Sequence, residues 1–254
     1  MQKAVVIIPA RYNSSRFPGK PLATLKGKTL IQNVYDQASS ASRIDSVIVA
    51  TDDSRIFDTV KKFGGSVLMT SPDHSCGTDR IAEVARDLEC DIVVNVQGDE
   101  PFIRPEMIDD TVQLLHEDEA ASISTLAVRI DNEDEIVNPN VVKVVSDDRG
   151  YALYFSRSPI PYFREEWKDL QSITLQQEKT VLFKHIGVYG YRKESLLNFT
   201  AMEKKWLEEM EKLEQLRALA AGMKIKVKET AFNTFGIDTI EDLRKAEEWQ
   251  SISL

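Results

Sequence analysis

The sequence predicts an α/β chain: a mostly parallel central sheet with helices on both faces and a smaller mixed-sheet extension. Three observations carry this. The short runs 4–8, 47–50 and 92–96 are apolar without alternation, as in strands buried on both faces. Helix-length segments separate them, and such alternation implies right-handed crossovers and parallel pairing. In the second half the apolar runs are joined by longer, more polar connections, which reads as a mixed extension packed on the first half and not as a separate domain.

Taken in order, the first strand covers residues 4–8 and a helix covers 29–41. After the strand at 47–50, Asp53 caps a second helix over 54–63, which Gly64-Gly65 stops. A short strand at 67–69, a helix over 78–88 and the strand at 92–96 follow, and a fourth helix runs from Pro105 to about Asp118. Strands are expected at 141–145, 152–155 and 185–191, with 162–180 as an irregular excursion. A single helix over 202–220 would carry an apolar stripe of Trp206, Met210, Leu213 and Ala220. A strand at 224–227 and a helix over 239–249 end the chain. The whole reads as one domain: a nucleotide-binding half (1–130), an extension (131–235) and a returning loop and helix (236–254).

The segment after the first strand holds three prolines and a glycine among Arg11, Arg16 and Lys20. In open sheets of this class the ligand lies over the carboxyl ends of the strands, so the loops 9–22, 70–80 and 97–105 should form the site. A stiff, cationic loop there suits a polyanion, above all a phosphate chain. The charge distribution favours that reading over a plain basic turn. The chain has a formal net charge of −9, yet residues 1–35 contain six Lys or Arg and no Asp or Glu. An acidic body disfavours nucleic acid and anionic membranes as partners and suits a small anionic ligand. No apolar run approaches a membrane span, no signal-peptide pattern opens the chain, and Cys76 and Cys90 form no CxxC pair, so a cytoplasmic location is expected.

Neither common phosphate loop is present. Ser14 stands where a Walker A glycine belongs, Pro21 replaces its Ser/Thr, and no GxGxxG follows the first strand. Asp99, in Gln97-Gly98-Asp99-Glu100-Pro101, faces the same crevice as the basic loop and is either a magnesium ligand or a solvated turn acid. Asp238 precedes Thr239 and Asp242, which fit a capping box, so spacing alone makes it a helix flank. His74 to Arg80 end at a helix N-terminus, open to an anion, a nucleobase or a plain loop, and lack further ligands at zinc spacing. His185 begins a strand, as a ligand contact or a satisfied core imidazole, while Glu214 and Gln215 flank a charged helix face.

These segments together resemble the 3-deoxy-manno-octulosonate (Kdo) cytidylyltransferases, or CMP-Kdo synthetases, over nearly the whole chain. The markers are residues 8–22, Gly77-Thr78-Asp79-Arg80, 95–101, 138–145, 152–157, 185–189, 213–217 and Gly236-Ile237-Asp238. The resemblance implies a Rossmann-like nucleotide-diphospho-sugar transferase fold. It also implies the reaction CTP + Kdo → CMP-Kdo + pyrophosphate, serving lipopolysaccharide biosynthesis, in a homodimer whose extension supplies sugar binding and dimerisation. By matching position, Ala10, Arg11, Arg16, Lys20, Gly77 and Arg80 belong to CTP, and Gln97, Arg157, His185, Tyr189, Glu214 and Gln215 to the sugar. Asp99 and Asp238 match Mg2+ ligands, and Lys20 joins them as catalytic. Cys76 departs from the serine more usual in relatives, and would weaken a hydrogen bond if its side chain met the nucleotide. Related readings are activation of 8-amino-Kdo or a sialic acid, and, in another class, a non-catalytic nucleotide-binding module.

Overall fold

The computed structural model describes residues 2–13, 16–167 and 181–252. Strand β1 (Ala4–Ala10) lies centrally, with hairpin strands β2 (Thr24–Leu25) and β3 (Lys28–Thr29) beyond the loop that follows it. β4 (Ser46–Thr51) pairs parallel to β1 on one side, with β5 (Val67–Met69) outside it, and β6 (Ile92–Asn95) pairs parallel on the other. Beyond β6 the order is β10 (Phe183–Arg192), β7 (Ile123–Arg129) and β11 (Ile225–Glu229). β10 is antiparallel to both of its long neighbours, and β11 is parallel to β7. One reversed strand therefore sits inside an otherwise parallel sheet.

Why the apolar runs do not alternate is visible along β1. Ala4, Val6, Ile8 and Ala10 pack into a cluster with α1 (Leu30–Ser39), α2 (Ser54–Lys62) and α4 (Pro105–Glu117). Val5 and Ile7 face the other way, toward α3 (Gly77–Arg86), α6 (Lys193–Thr200) and α8 (Gln215–Ala220). Each fully buried Val or Ile contributes about 1.5–3 kcal/mol, so a polar side chain on either face would be costly. Asp53 caps α2 through a bond from the Arg55 N–H, and Gly64 ends that turn at φ 82, as the sequence predicts.

The extension is no separate layer. β8 (Lys143–Ser146) pairs with the start of β10 and with β9 (Ala152–Ser156), so it branches from the main sheet. The ladder between β10 and β7 is interrupted between Ile186 and Tyr189. The Thr125 hydroxyl occupies that irregularity and donates to the Val188 carbonyl at 2.7 Å. It also lies 3.1 Å from the Ile186 carbonyl and 2.9 Å from His185 Nε2, so backbone and imidazole share one hydroxyl.

Several elements differ from the sequence reading. β1 continues through Pro9 and Ala10, because β6 stops pairing at Ile7 and Pro9 has one strand neighbour instead of two. The loop after it also holds regular structure, a 3-10 turn at Lys20–Leu22 and the β2–β3 hairpin. Strand β7 and helices α5 (Glu133–Val137) and α6 are further elements that the sequence reading lacked. The expected helix over 202–220 is two short helices, α7 (Trp206–Glu211) and α8, split by Lys212 at φ 54. Its apolar stripe is not a buried face: Trp206 and Met210 are 70% and 63% exposed, Ala220 is exposed, and Leu213 alone of the four is buried. A stripe projected along one helix axis does not survive a left-handed residue within it. Of the excursion at 162–180, residues 168–180 lie outside the described residues, while Trp167 packs fully buried with Ile130, Ile136 and Leu182. The last helix, α9 (Ile240–Ile252), follows Thr239 as expected.

Gly190 of β10 is a close approach between layers. A Cβ there would meet Ser124 Oγ and lie 3.2 Å from the Thr111 carbonyl of α4. Gly190→Ala should therefore cost about 1–3 kcal/mol through overpacking. A urea titration reads this as a lower unfolding midpoint, and an unchanged midpoint would contradict the packing.

Candidate active site

The loop after β1 is shaped by Tyr12. Its ring lies under the Arg55 guanidinium, 3.2 Å from the centroid, and Asp53 grips Arg55 at 2.9 and 2.6 Å. Gly19 closes the loop by donating to the Tyr12 carbonyl at 2.9 Å, with φ at 73. A Cβ there would lie 3.1 Å from the Tyr12 ring, so glycine is required twice over. The chain then enters the 3-10 turn, and Lys20 points back under the strand ends.

Lys20 joins two distant segments. Its Nζ donates to Asp99 Oδ2 at 2.5 Å and to Asp238 Oδ1 at 3.0 Å, and Arg16 Nη2 lies 3.0 Å from Asp238 Oδ2. Burial alone would lower the Lys20 pKa, but Asp99 and then Asp238 outweigh it and hold the ammonium above its ordinary value. Backbone bonding fixes the two carboxylates relative to each other, since the Ile237 N–H donates to the Asp99 carbonyl at 2.9 Å. The capping box expected after Asp238 is present: Thr239 N–H donates to Asp242 at 2.9 Å, and Asp242 N–H to Thr239 Oγ1 at 3.1 Å. Asp242 does the capping, which leaves the Asp238 carboxylate turned to Lys20. Beside them, burial and then the charge of Asp99 push Glu100 up to about 8. Both effects favour the neutral carboxyl at this position.

These groups border a cavity of about 340 Å³. Ala10, Arg11, Arg16, Lys20, Gly77 and Arg80 all line it. So do Gln97, Asp99 and Asp238, and also Asn13 and Gly98, which the sequence reading had not singled out as site residues. Gly77 is the first residue of α3 and brings that helix's free N–H end to the cavity, a favourable place for phosphate. Gly98 permits close approach, because a Cβ would lie 3.0 Å from the Pro9 carbonyl. Arg80 is buried, held by the Thr70 hydroxyl and 3.4 Å from Asp52.

The other expected sugar-side residues, Arg157, His185, Tyr189, Glu214 and Gln215, do not line this cavity. Gln97 Nε2 donates to Asn95 Oδ1 at 3.4 Å, and buried Asn95 stands opposite Tyr189 in the ladder. The Tyr189 ring lies 5.1 Å from His185, whose other side meets the edge of Phe155 at 5.1 Å. Thr78, next to Gly77, donates to Glu214, and Gln215 is buried at the start of α8. Burial raises the Glu214 pKa. Arg157 is turned onto backbone, giving 2.7 Å bonds to the carbonyls of Glu211 and Pro139. Asn95 and Thr78, which link the two sides, were missed as site residues; the signal for Asn95 was a lone amide ending an apolar strand. Cys76 is not among the cavity-lining residues: its sulfur caps α3, accepting from the Asp79 N–H at 3.4 Å. Burial and then Glu214 push that thiol up to about 12. His74 pairs with Glu83 instead of with Cys76.

Among the described residues no three His, Cys, Asp or Glu side chains converge as a metal cage. Asp99 and Asp238, whose oxygens meet at one ammonium, do fit a hard divalent cation that takes one or two carboxylates and fills its shell with phosphate and water oxygens.

The family model described as Cytidylyltransferase matches residues 5–225. The 3-deoxy-manno-octulosonate cytidylyltransferase of Trichlorobacter lovleyi is 52% identical over 96% of this chain and 97% of its own. That of Thermodesulfovibrio yellowstonii is 54% identical over 96% of each. A solved CMP:2-keto-3-deoxy-manno-octonic acid synthetase, complexed with CTP, superposes with a TM-score of 0.91 at 43% identity, covering 99% of this chain and 100% of that one. A 4-diphosphocytidyl-2C-methyl-D-erythritol synthase from Anaerococcus prevotii shares the fold, with a TM-score of 0.64 at 17% identity over 98% and 96% of the chains. Fold and comparisons define a nucleotidyltransferase. Within that class, the chain belongs to the 3-deoxy-manno-octulosonate cytidylyltransferase family.

Burial lowers the His185 pKa to about 3, so its imidazole stays neutral through the physiological range. Histidine-selective NMR on the free protein should find one imidazole with no titration between about pH 5 and 8. It should be absent from a His185→Asn variant. A His185 midpoint near 6.5 would contradict the enclosed, Thr125-bonded ring.

Proposed function

We propose that this chain activates 3-deoxy-manno-octulosonate with CTP, releasing pyrophosphate and forming the CMP-sugar that feeds lipopolysaccharide biosynthesis. The observation that carries the reading is the convergence of Lys20, Asp99 and Asp238 in a cation-lined cavity, in a chain more than half identical to enzymes of that name.

The cations Arg11, Arg16 and Lys20, with the N-terminal end of α3, would hold the triphosphate of CTP. The acceptor side, from Gln97 through Tyr189 and His185 to Glu214, Gln215 and Arg157, would place the sugar acid next to it. The anomeric hydroxyl oxygen then bonds to the α-phosphorus in line with the departing bond to pyrophosphate, and its proton passes to solvent. Such transfer asks the protein for positioning and charge neutralisation, not covalent chemistry. Lys20 would offset the charge that builds on the leaving pyrophosphate. Mg2+ bound by Asp99 and Asp238 would supply Lewis-acid stabilisation at the α-phosphate and lower the pKa of the attacking hydroxyl. Burial keeps His185 neutral and its Nε2 is bonded to Thr125, so it fits a role in orientation better than one in proton transfer.

No helix among the described residues is long and apolar enough to cross a membrane. The reading places the enzyme in the cytoplasm, as two free cysteines suit a reducing compartment. It includes a homodimer, for which the exposed Leu153, Trp206 and Met210 offer apolar surface.

Pyrophosphate release tests the reading, with CTP, UTP and ATP each crossed with the sugar acid, its 8-amino analogue and a sialic acid. Turnover should require CTP, a divalent cation and 3-deoxy-manno-octulosonate, and preference for another sugar acid would sink the substrate assignment. Nucleotide binding without turnover on any sugar would favour a non-catalytic module. Asp99→Asn should keep the fold and lose about 10²-fold or more in kcat, as when a preorganised electrostatic group is removed. Near-normal turnover would take Asp99 out of the metal role. Lys20→Ala should raise KM for CTP or slow pyrophosphate departure, and unchanged kinetics would return the loop to a plain basic turn.

A further inference from the structure

We infer that Lys143, which no part of the proposed chemistry uses, is a positioning residue for the acceptor side, acting through Arg157 and the turn that leads into α8. The inference rests on the functional reading above. Lys143 lies in β8 and is 0% exposed, one of the largest fully buried side chains. Burying an ammonium is costly unless each of its three protons is accepted. Here all three are. Nζ donates to the carbonyls of Asn138 at 3.0 Å, Val141 at 2.7 Å and Arg157 at 2.7 Å. Among the described residues no carboxylate forms an ion pair with it, so neutral carbonyls alone cage the charge.

The acceptors belong to segments that bond to each other only at their rims. Asn138 and Val141 bracket a turn closed by the Val141 N–H on the Asn138 carbonyl at 3.1 Å. Within that turn, the Pro139 carbonyl accepts from Arg157 Nη1 at 2.7 Å. Arg157 also gives its own N–H to Glu211 Oε2 at 3.0 Å and its Nε to the Glu211 carbonyl at 2.7 Å. Ser156 Oγ holds the other Glu211 oxygen at 2.6 Å. Glu211 ends α7, and the left-handed Lys212 that follows turns the chain so that Glu214 and Gln215 open α8. Lys143 is thus the buried tie of a ring that runs from the 138–141 turn through Arg157 to the start of α8. Without the ammonium, the Val141 and Arg157 carbonyls lose these donors together, the Asn138 carbonyl keeps only the Val141 N–H, and the ring must shift to find others.

Lys143→Met keeps the stem and removes the donors, while Lys143→Gln keeps two donors on a shorter stem. In pyrophosphate release, Lys143→Met should lower kcat/KM for the sugar acid about tenfold or more, with KM for CTP moving less than about threefold, and Lys143→Gln should fall between. On an Arg157→Ala background, Lys143→Gln should add little, because the group through which it acts is gone. An unchanged sugar dependence, an equal loss toward both substrates, or full additivity with Arg157→Ala overturns the inference. Loss of folding in both variants also overturns it, in favour of a purely structural lysine. A wild-type protein without turnover on the sugar acid overturns the functional reading, and this inference with it, whereas failure in the variants alone leaves that reading standing.

Discussion

The site depends on one ammonium placed between two carboxylates that are far apart in the chain. Two carboxylates in one crevice repel each other, and a cation between them offsets that repulsion. Lys20 is that cation, and its side chain is only 12% exposed against 31% and 45% for the two acids. The buried partner holds the charges in place while the acids keep a face to the cavity. The upward pKa shift of Glu100 belongs to the same balance, since burial and the charge of Asp99 both oppose a further negative charge at that spot. The loop scaffold around Tyr12, Arg55 and Gly19 matters because it fixes where Lys20 arrives.

A second constraint comes from reversing one strand inside a parallel sheet. β10 brings His185 and Tyr189 alongside Asn95, at the end of the strand that leads to Asp99. The irregularity between Ile186 and Tyr189 would leave backbone groups unpaired, and the Thr125 hydroxyl fills it. That same hydroxyl lies 2.9 Å from His185 Nε2 and orients the ring. Two polar contacts, Gln97 to Asn95 and Thr78 to Glu214, tie residues at the cavity to β6 and to the start of α8.

Much of this was legible in the sequence because it follows from local rules. Uninterrupted apolar runs announced strands buried on both faces, and the excess of cations in residues 1–35 pointed to the loop that lines the cavity. Asp53 and Thr239 were readable as caps, since a cap needs only neighbouring residues. What failed was non-local. The helix over 202–220 broke because Lys212 adopts a left-handed conformation that no glycine advertised. Trp206 and Met210, apolar at helical spacing, face outward for that reason. Asp238 carries two roles at once, and only the fold, by bonding Ile237 to Asp99, brings it to Lys20. Asn95 and Thr125 matter through partners about ninety and sixty residues away, which spacing cannot reveal.

Lys20 and Lys143 are the same residue in opposite electrostatic settings, and the contrast explains how one chain can use lysine both to bind and to build. Lys20 is raised by carboxylates that themselves face the cavity, so an incoming phosphate offers it an equivalent anionic partner and exchange costs little. Lys143 is lowered to about 8, by burial first and by the nearby Arg157 charge second, and its acceptors are neutral carbonyls of the surrounding backbone. The Glu211 carboxylate, held by Ser156 and Arg157, acts on it only through its charge, so its bonding partners are all backbone. A lysine among mobile anions is suited to a ligand that comes and goes, and a lysine among fixed carbonyls to a wall that must not. The surroundings of the two lysines differ in the same way, one an open and charged cavity, the other tied through its backbone carbonyls.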